Sequence, residues 1–322
     1  IIFVCGLAAL IKGSDWFVDG AVAVAKRFNV PQVVIGLTLV SLGTSLPELA
    51  TDVYASCRAL AGSGNAGEII AGDIIGSNIT NIALVLGIGT IIMGAIATPR
   101  QLLLRDVVFM LIIFLLLPVA ALTSGSGGLH IGRYWGIVLL VILAFYLYFL
   151  FRHPERVNEM EEEEAEETSI KTMLGASFAI VVGITCIFSG AKALVDNVLA
   201  VALDLGLSTA LVAATVVAFG TSLPELAVTV AGAIKKQHSL ALGNIIGSCT
   251  FNILLIIGVC SSINPIPITR EMMYFNIPVM VACGILLAIF MRTKWKLVRL
   301  EGAGLLLAYI VFVIFNIMKI KG

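Results

Sequence analysis

The octapeptide Gly-Thr-Ser-Leu-Pro-Glu-Leu-Ala occurs twice, at residues 43–50 and 220–227, and each copy sets an ionisable Glu and a helix-breaking Pro inside an apolar stretch. A carboxylate is costly at membrane depth and survives there facing a bundle interior or a water-filled cavity. Glu48 and Glu225 stand at matching places in the two halves of the chain. Such a pair points to an internally repeated membrane bundle whose interrupted helices meet near the bilayer midplane around a cation.

The rest of the chain agrees with a membrane setting. Hydrophobic residues make up 59% and charged residues 12%, with mean hydropathy +1.07, too little polar surface to cover a soluble domain. The apolar runs read as ten helices, near 1–25, 31–57, 68–94, 102–122, 133–151, 170–199, 208–233, 239–262, 272–291 and 297–318. The short alternating segments of a transmembrane barrel are absent from the sequence. The six cysteines are scattered without CxxC spacing and read as small apolar fillers. Formal net charge is zero, which gives no sign of a nucleic-acid partner.

When the connections are assigned alternately to the two sides, thirteen Lys and Arg residues collect on one side, among them Lys26, Arg27, Arg100, Arg105, Lys235 and Lys236. Five fall on the other: Arg58, Arg133, Arg270, Lys319 and Lys321. The positive-inside rule makes the first side cytoplasmic and leaves both termini outside. The one distinct linker, 153–169, carries Glu161 to Glu164, Glu166 and Glu167 and reads as a solvated cytoplasmic connector.

Aligning the octapeptides gives an offset of 177, and Gly13, Asp19 and Thr38 then fall on Gly190, Asp196 and Thr215. Farther on, Gly76-Ser77-Asn78-Ile79-Thr80-Asn81-Ile82 matches Gly247-Ser248-Cys249-Thr250-Phe251-Asn252-Ile253 at an offset of 171, after a loop insertion around 61–67. Each half holds five helices, and an odd number enters the second half with opposite polarity. The expected fold is therefore an all-α membrane protein of ten helices in two inverted five-helix repeats, 1–152 and 170–322, with the second and seventh helices broken.

The candidate site follows from the repeated motifs. In the second helix Thr44 and Glu48 share a face with Ser45 beside them, and Pro47 removes an N–H and crowds the Gly43 carbonyl. Thr221, Ser222, Pro224 and Glu225 repeat this in the seventh helix. Ser77 with Asn81, and Ser248 with Asn252, put hydroxyl and amide oxygens on one stripe of the third and eighth helices. All are hard oxygen donors, which suit Ca²⁺ or Na⁺; zinc or copper would favour His or Cys. His130, His153 and His238 sit near loops and read as surface residues.

At these residues the sequence resembles the cation/Ca²⁺ antiporter superfamily, and within it the prokaryotic Na⁺/Ca²⁺ exchangers. GTSLPE and GS-x-x-x-N, twice each, carry the resemblance, which extends over nearly the whole chain. It implies a central diamond of sites lined by Thr44, Ser45, Glu48, Ser77, Asn81, Thr221, Ser222, Glu225, Ser248 and Asn252, joined by the backbone carbonyls of Ser41 and Ala218. It also implies that the first and sixth helices slide across the other eight. K⁺-dependent members carry Asp where this chain has Asn252, so their K⁺ requirement is not expected here. Gly64-Asn65-Ala66-Gly67-Glu68 matches a motif of proton-coupled relatives but falls in the loop insertion, and reads as coincidence.

The resulting expectation is a plasma-membrane antiporter, not an enzyme and without a cofactor, that exchanges Ca²⁺ for Na⁺ by alternating access. Its partners are these ions and the bilayer, with no nucleic acid and no obligatory protein partner. Two Glu match one Ca²⁺, and three Na⁺ in return, the stoichiometry the resemblance implies, would make transport electrogenic. A Ca²⁺/H⁺ antiporter is the nearest rival, because a desolvated Glu can carry a proton. An intramembrane hydrolase would need a motif such as HExxH, and a pore would show no counter-ion. Asp73 stands where the second repeat has Asn244. Two turns before Asn81, it is expected about 12 Å outward of it at 1.5 Å per residue, on an external approach path for cations.

Overall fold

Lipid offers no partners for free backbone groups, so each long apolar run closes its hydrogen bonds internally as a helix. The computed structural model describes residues 2–61, 66–125, 128–153, 170, 172–204, 222–293 and 295–321. In the first half these form α1 (Ile2–Phe28), α2 (Gln32–Thr44), α3 (Leu46–Leu60), α4 (Gly67–Met93), α5 (Leu102–Thr123) and α6 (Arg133–Arg152). The second half contributes α7 (Met173–Asp204), α8 (Leu223–Ile234), α9 (His238–Ile263), α10 (Met272–Arg292) and α11 (Arg299–Lys321).

Among the described residues seven helices are single apolar spans, α4 to α7 and α9 to α11, and α2 with α3 makes an eighth, bent by 49°. The bent pair is the second helix expected from the sequence. Lys12, Asp15 and Asp19 interrupt the apolar character of α1, yet its 27 residues reach about 40 Å at 1.5 Å per residue. Of the seventh expected helix, 208–233, the described part is the short α8; residues 208–221 lie outside the described residues, as does the linker from 154 to 169.

Burial sorts the helices. α4 and α9 are the central pair, 83% and 94% buried over their spans, whereas α6, α10 and α11 present large apolar side chains outward, as a lipid-facing wall would. The centre is packed by backbone proximity. A Cβ on Gly243 of α9 would stand 2.6 Å from the Val33 carbonyl oxygen and 3.0 Å from the Leu37 nitrogen of α2. α1 and α7 cross in the same way: a Cβ on Gly13 would lie 2.8 Å from the Gly183 carbonyl, and one on Gly190 2.5 Å from that of Gly6. Small residues at these crossings let helix axes approach closely, the usual source of association between helices in lipid.

Two features are not apparent from the helical pattern. Short antiparallel ribbons join distant loops, β1 (Ala95–Ala97) with β4 (Lys296–Val298), and β2 (His130–Ile131) with β3 (Ile266–Pro267). The all-α expectation is corrected to that extent. Each ribbon pairs a loop of one half with a loop of the other, and the basic-residue count assigns both loops of each pair to the same side. The second feature is a set of π-helical turns inside the spans, two of which occupy matching positions, Thr80–Val85 in α4 and Asn252–Ile257 in α9. Such turns re-aim side chains locally and are frequent at functional sites.

Candidate ion-binding site

The duplicated octapeptide produces the same local geometry twice. Ser45 takes φ −86° and ψ 3°, and Ser222 takes φ −88° and ψ 3°, so the residue that precedes α3 and the one that precedes α8 share the same non-helical conformation. The break was expected at Pro47. It lies two residues earlier, and Pro47 and Pro224 instead occupy the first turns of α3 and α8, where a missing N–H removes no helical bond. Glu48 and Glu225 therefore sit in first helical turns, at the positive end of the helix dipole, which favours a carboxylate.

The carboxylates are buried, Glu48 at 1% and Glu225 at 0% exposure, and are within electrostatic reach of each other. Contacts between the halves surround them. Ser45 Oγ donates to Glu225 Oε1 at 3.3 Å, Thr44 Oγ1 donates to Asn244 Oδ1 at 3.2 Å, and the Thr44 and Ser248 hydroxyls lie 3.4 Å apart. Asn252 Nδ2 donates to Asn78 Oδ1 at 3.2 Å, which holds its amide in one orientation.

What remains is a set of buried oxygens with no hydrogen-bond partner: both of Glu48, Oε2 of Glu225, the hydroxyls of Ser77 and Ser222, and the amide oxygens of Asn81 and Asn252. Leaving one buried polar atom unsatisfied costs about 1–3 kcal/mol, so a group of seven signals a ligand-binding site. Ca²⁺ takes six to eight oxygen ligands. Among the described residues no three His, Cys or acidic side chains form a metal cluster, so this oxygen set draws its charge from two carboxylates and is otherwise neutral.

A family model described as sodium/calcium exchanger protein matches residues 1–152 and 176–318. The chain belongs to the sodium/calcium exchanger family. It is similar to the sodium/calcium exchanger MaX1 of Methanosarcina acetivorans, with 33% identity over 98% of this chain and 97% of the relative. It is also similar to the putative antiporter CaxA of Alkalimonas amylolytica, with 33% identity over 96% of each chain. Among solved structures, the sodium-calcium exchanger NCX_Mj soaked with Na⁺ and Sr²⁺ matches with a TM-score of 0.80 and 33% identity, covering 97% of this chain and 96% of that one. The family is one of transporters, and the chain is a multi-pass membrane protein with no catalytic residues to assign.

Of the residues singled out in the sequence, Thr44, Ser45, Glu48, Ser77, Asn81, Ser222, Glu225, Ser248 and Asn252 are all buried to 2% exposure or less. Thr221 and Ala218 lie outside the described residues. The Ser41 carbonyl already accepts the Ser45 N–H at 3.0 Å and the Thr44 hydroxyl at 3.3 Å, so an ion there would share an oxygen already in use. Asp73 is half-buried on α4, one turn before Ser77, and within electrostatic reach of Glu48, Asp52 and Glu225.

Three residues of the site were not read from the sequence. Asn78 orients Asn252, and Asn244 binds Thr44; only the packing of α4 and α9 against their neighbours puts them there. Asp52, one turn beyond Glu48 and 2% exposed, was legible in principle, because the offset of 177 places an acid against Thr229.

Proposed function

We propose that this chain exchanges Ca²⁺ for Na⁺ across the plasma membrane by alternating access. The observation that carries the reading is the set of buried, unpartnered oxygens around two carboxylates contributed by opposite halves. The two Glu charges balance one dehydrated Ca²⁺, and the surrounding hydroxyls and amides supply neutral oxygens that suit either hard cation. The residues assigned to the ions are Thr44, Ser45, Glu48, Ser77, Asn81, Thr221, Ser222, Glu225, Ser248 and Asn252, with the carbonyls of Ser41 and Ala218.

The protein is proposed to consist of ten helices in two inverted repeats, 1–152 and 170–322, with the linker 153–169 cytoplasmic and both termini outside. Support comes from the matched backbone conformations of Ser45 and Ser222 at the starts of α3 and α8 and from the ribbons, since exchanging the halves turns the β1–β4 pairing into β3–β2. Inverted repeats supply two related conformations in which the same site opens to opposite sides. The glycine crossings hold α1 closely against α7, so the pair would slide as one unit across the other helices.

The deciding experiment is Ca²⁺ uptake into proteoliposomes, driven in turn by a Na⁺ gradient and by a pH gradient with the membrane potential clamped. Uptake is expected with the Na⁺ gradient. Flux that follows pH and ignores Na⁺ would assign the chain to Ca²⁺/H⁺ exchange.

A further inference from the structure

A cavity of about 340 Å³ lies between the start of α5 and the end of α10, and none of its lining residues belongs to the ion-binding shell. Its walls are apolar, with Leu104 and Val108 on α5 and Ala288 and Ile289 on α10. Leu104 and Ile289 are each 56% exposed, so the trough opens outward, where lipid would lie. At one end the helices meet: a Cβ on Gly284 would stand 2.7 Å from Leu111 Cδ2. From Leu111 back to Leu104 the apolar stretch runs about 10 Å at 1.5 Å per residue.

The other end is basic. Arg100 and Arg292 line it together with Trp295. Arg100 Cζ lies 5.6 Å from the centroid of the Trp295 ring, a cation–π contact. Trp295 takes φ 54°, a left-handed conformation that is costly for a bulky side chain and that tends to persist where function requires it. The end of the β1–β4 ribbon holds it there, since the Trp295 carbonyl accepts the Thr98 N–H at 2.9 Å. Among the described residues neither guanidinium forms an ion pair. The acids closest to them in the sequence have other partners: Asp106 is bonded to Arg105 and Tyr146, and Glu301 to the Val298 N–H.

Duplication of the fold does not require this pair of arginines. Thr98 and Ile268 each donate a backbone N–H beside a ribbon, to Trp295 and to Leu129. The offset of 170 between them places Arg270 at the position of Arg100 but Leu122 at that of Arg292. The doubly basic end therefore occurs only on the side that the basic-residue count makes cytoplasmic.

We propose that the trough binds one anionic phospholipid of the leaflet on that side, with its phosphate between Arg100 and Arg292 and an acyl chain along the apolar walls. Guanidinium groups match the geometry of a phosphate, Trp favours the boundary between headgroups and hydrocarbon, and basic pockets between transmembrane helices take anionic headgroups. A zwitterionic lipid carries its own cation and satisfies the arginines less well. Which leaflet supplies the lipid rests on the orientation proposed above; binding by the purified protein does not.

The test is native mass spectrometry of the full chain in detergent, with equal amounts of phosphatidylglycerol and phosphatidylcholine added. The wild type is expected to retain one phosphatidylglycerol per chain, with a preference of roughly thirtyfold from two arginines near a membrane surface. R100Q/R292Q should lose that preference. Ala288→Phe keeps both arginines but fills the trough, and should lower phosphatidylglycerol retention as well. Elution profile and melting temperature with phosphatidylcholine alone check that both variants are folded. Millimolar inorganic phosphate should not displace the lipid. Equal retention of the two lipids by the wild type would overturn the proposal, and so would undiminished preference in R100Q/R292Q or undiminished retention in Ala288→Phe. Displacement by inorganic phosphate would make the arginines a site for a free anion and overturn the lipid assignment. The wild-type lipid comparison and the phosphate competition decide the matter even where a variant fails to fold.

Discussion

Glu48 and Glu225 sit buried in the first turns of α3 and α8, and among the described residues no Lys, Arg or His pairs with either, while the Ser45 hydroxyl donates to Glu225. Removing one partner of a buried charge pair typically costs about 3–5 kcal/mol. For a bound divalent ion that loses half of its compensating charge, this corresponds to a few hundredfold or more in affinity at about 1.4 kcal/mol per decade. Glu48→Gln and Glu225→Gln are therefore each expected to abolish Ca²⁺ uptake in proteoliposomes. Melting temperature in detergent without Ca²⁺ should hold steady or rise, because a buried unpaired charge has been removed. Uptake near wild type in either folded variant would refute the central-site assignment. Most of this residue-scale picture was legible in the sequence, since an acid and a proline inside an apolar run have few structural explanations. Asn78 and Asn244 were not, because an amide in a transmembrane helix usually makes an ordinary interhelical bond, and its partner depends on how two helices cross.

At the scale of elements, the site depends on how closely α2 approaches α9. Gly243 abuts Val33, Gly36 and Leu37, and the next residue, Asn244, holds Thr44. A Gly243→Val side chain would overlap the α2 backbone and force the helices apart, at about 1–3 kcal/mol or more for overpacking. The expected result is a lower melting temperature together with weaker Ca²⁺ binding, both measured on purified protein. Phe145→Leu on the outward face of α6, where Phe145 is 69% exposed, should change neither. A Gly243→Val protein with wild-type stability and affinity would mean that the α2–α9 contact does not position the site. The existence of these helices followed from hydropathy. The site of the break did not: proline is excluded from a helix interior but fits its first turn, so the chain opens before Pro47 and not at it.

For the whole molecule, the charge balance gives a measurable signature. Exchange of three Na⁺ for one Ca²⁺ moves one net charge per cycle, and each elementary charge is worth about 2.3 kcal/mol per 100 mV across the membrane. Na⁺-driven Ca²⁺ uptake into proteoliposomes is thus expected to accelerate when a K⁺ diffusion potential favours the outward movement of the extra positive charge, and to slow when the potential is reversed. Flux indifferent to potential would indicate electroneutral exchange and a different stoichiometry. The ribbons β1–β4 and β2–β3 bear on the same scale, since each ties a loop of one half to a loop of the other on one side of the bundle. The helices so joined are distinct from α1 and α7, which pack on each other and on α2 and α8.

The sequence by itself determined the membrane class, the duplication, the two carboxylates and the hard-oxygen character of the site. These depend on composition, on local backbone chemistry and on spacing along one helix, all properties of short stretches of chain. The tertiary structure decided which oxygens are left without partners, which Asn orients which, and how a glycine of α9 meets the α2 backbone. The residues in those contacts are about 170 to 210 positions apart, and their meeting depends on the crossing of helices whose mutual approach is set by packing, which no local pattern encodes. Asp52 lies between the two cases: its identity and its repeat partner were in the sequence, but its burial, with Oδ2 left without a hydrogen-bond partner, is a property of the packed bundle.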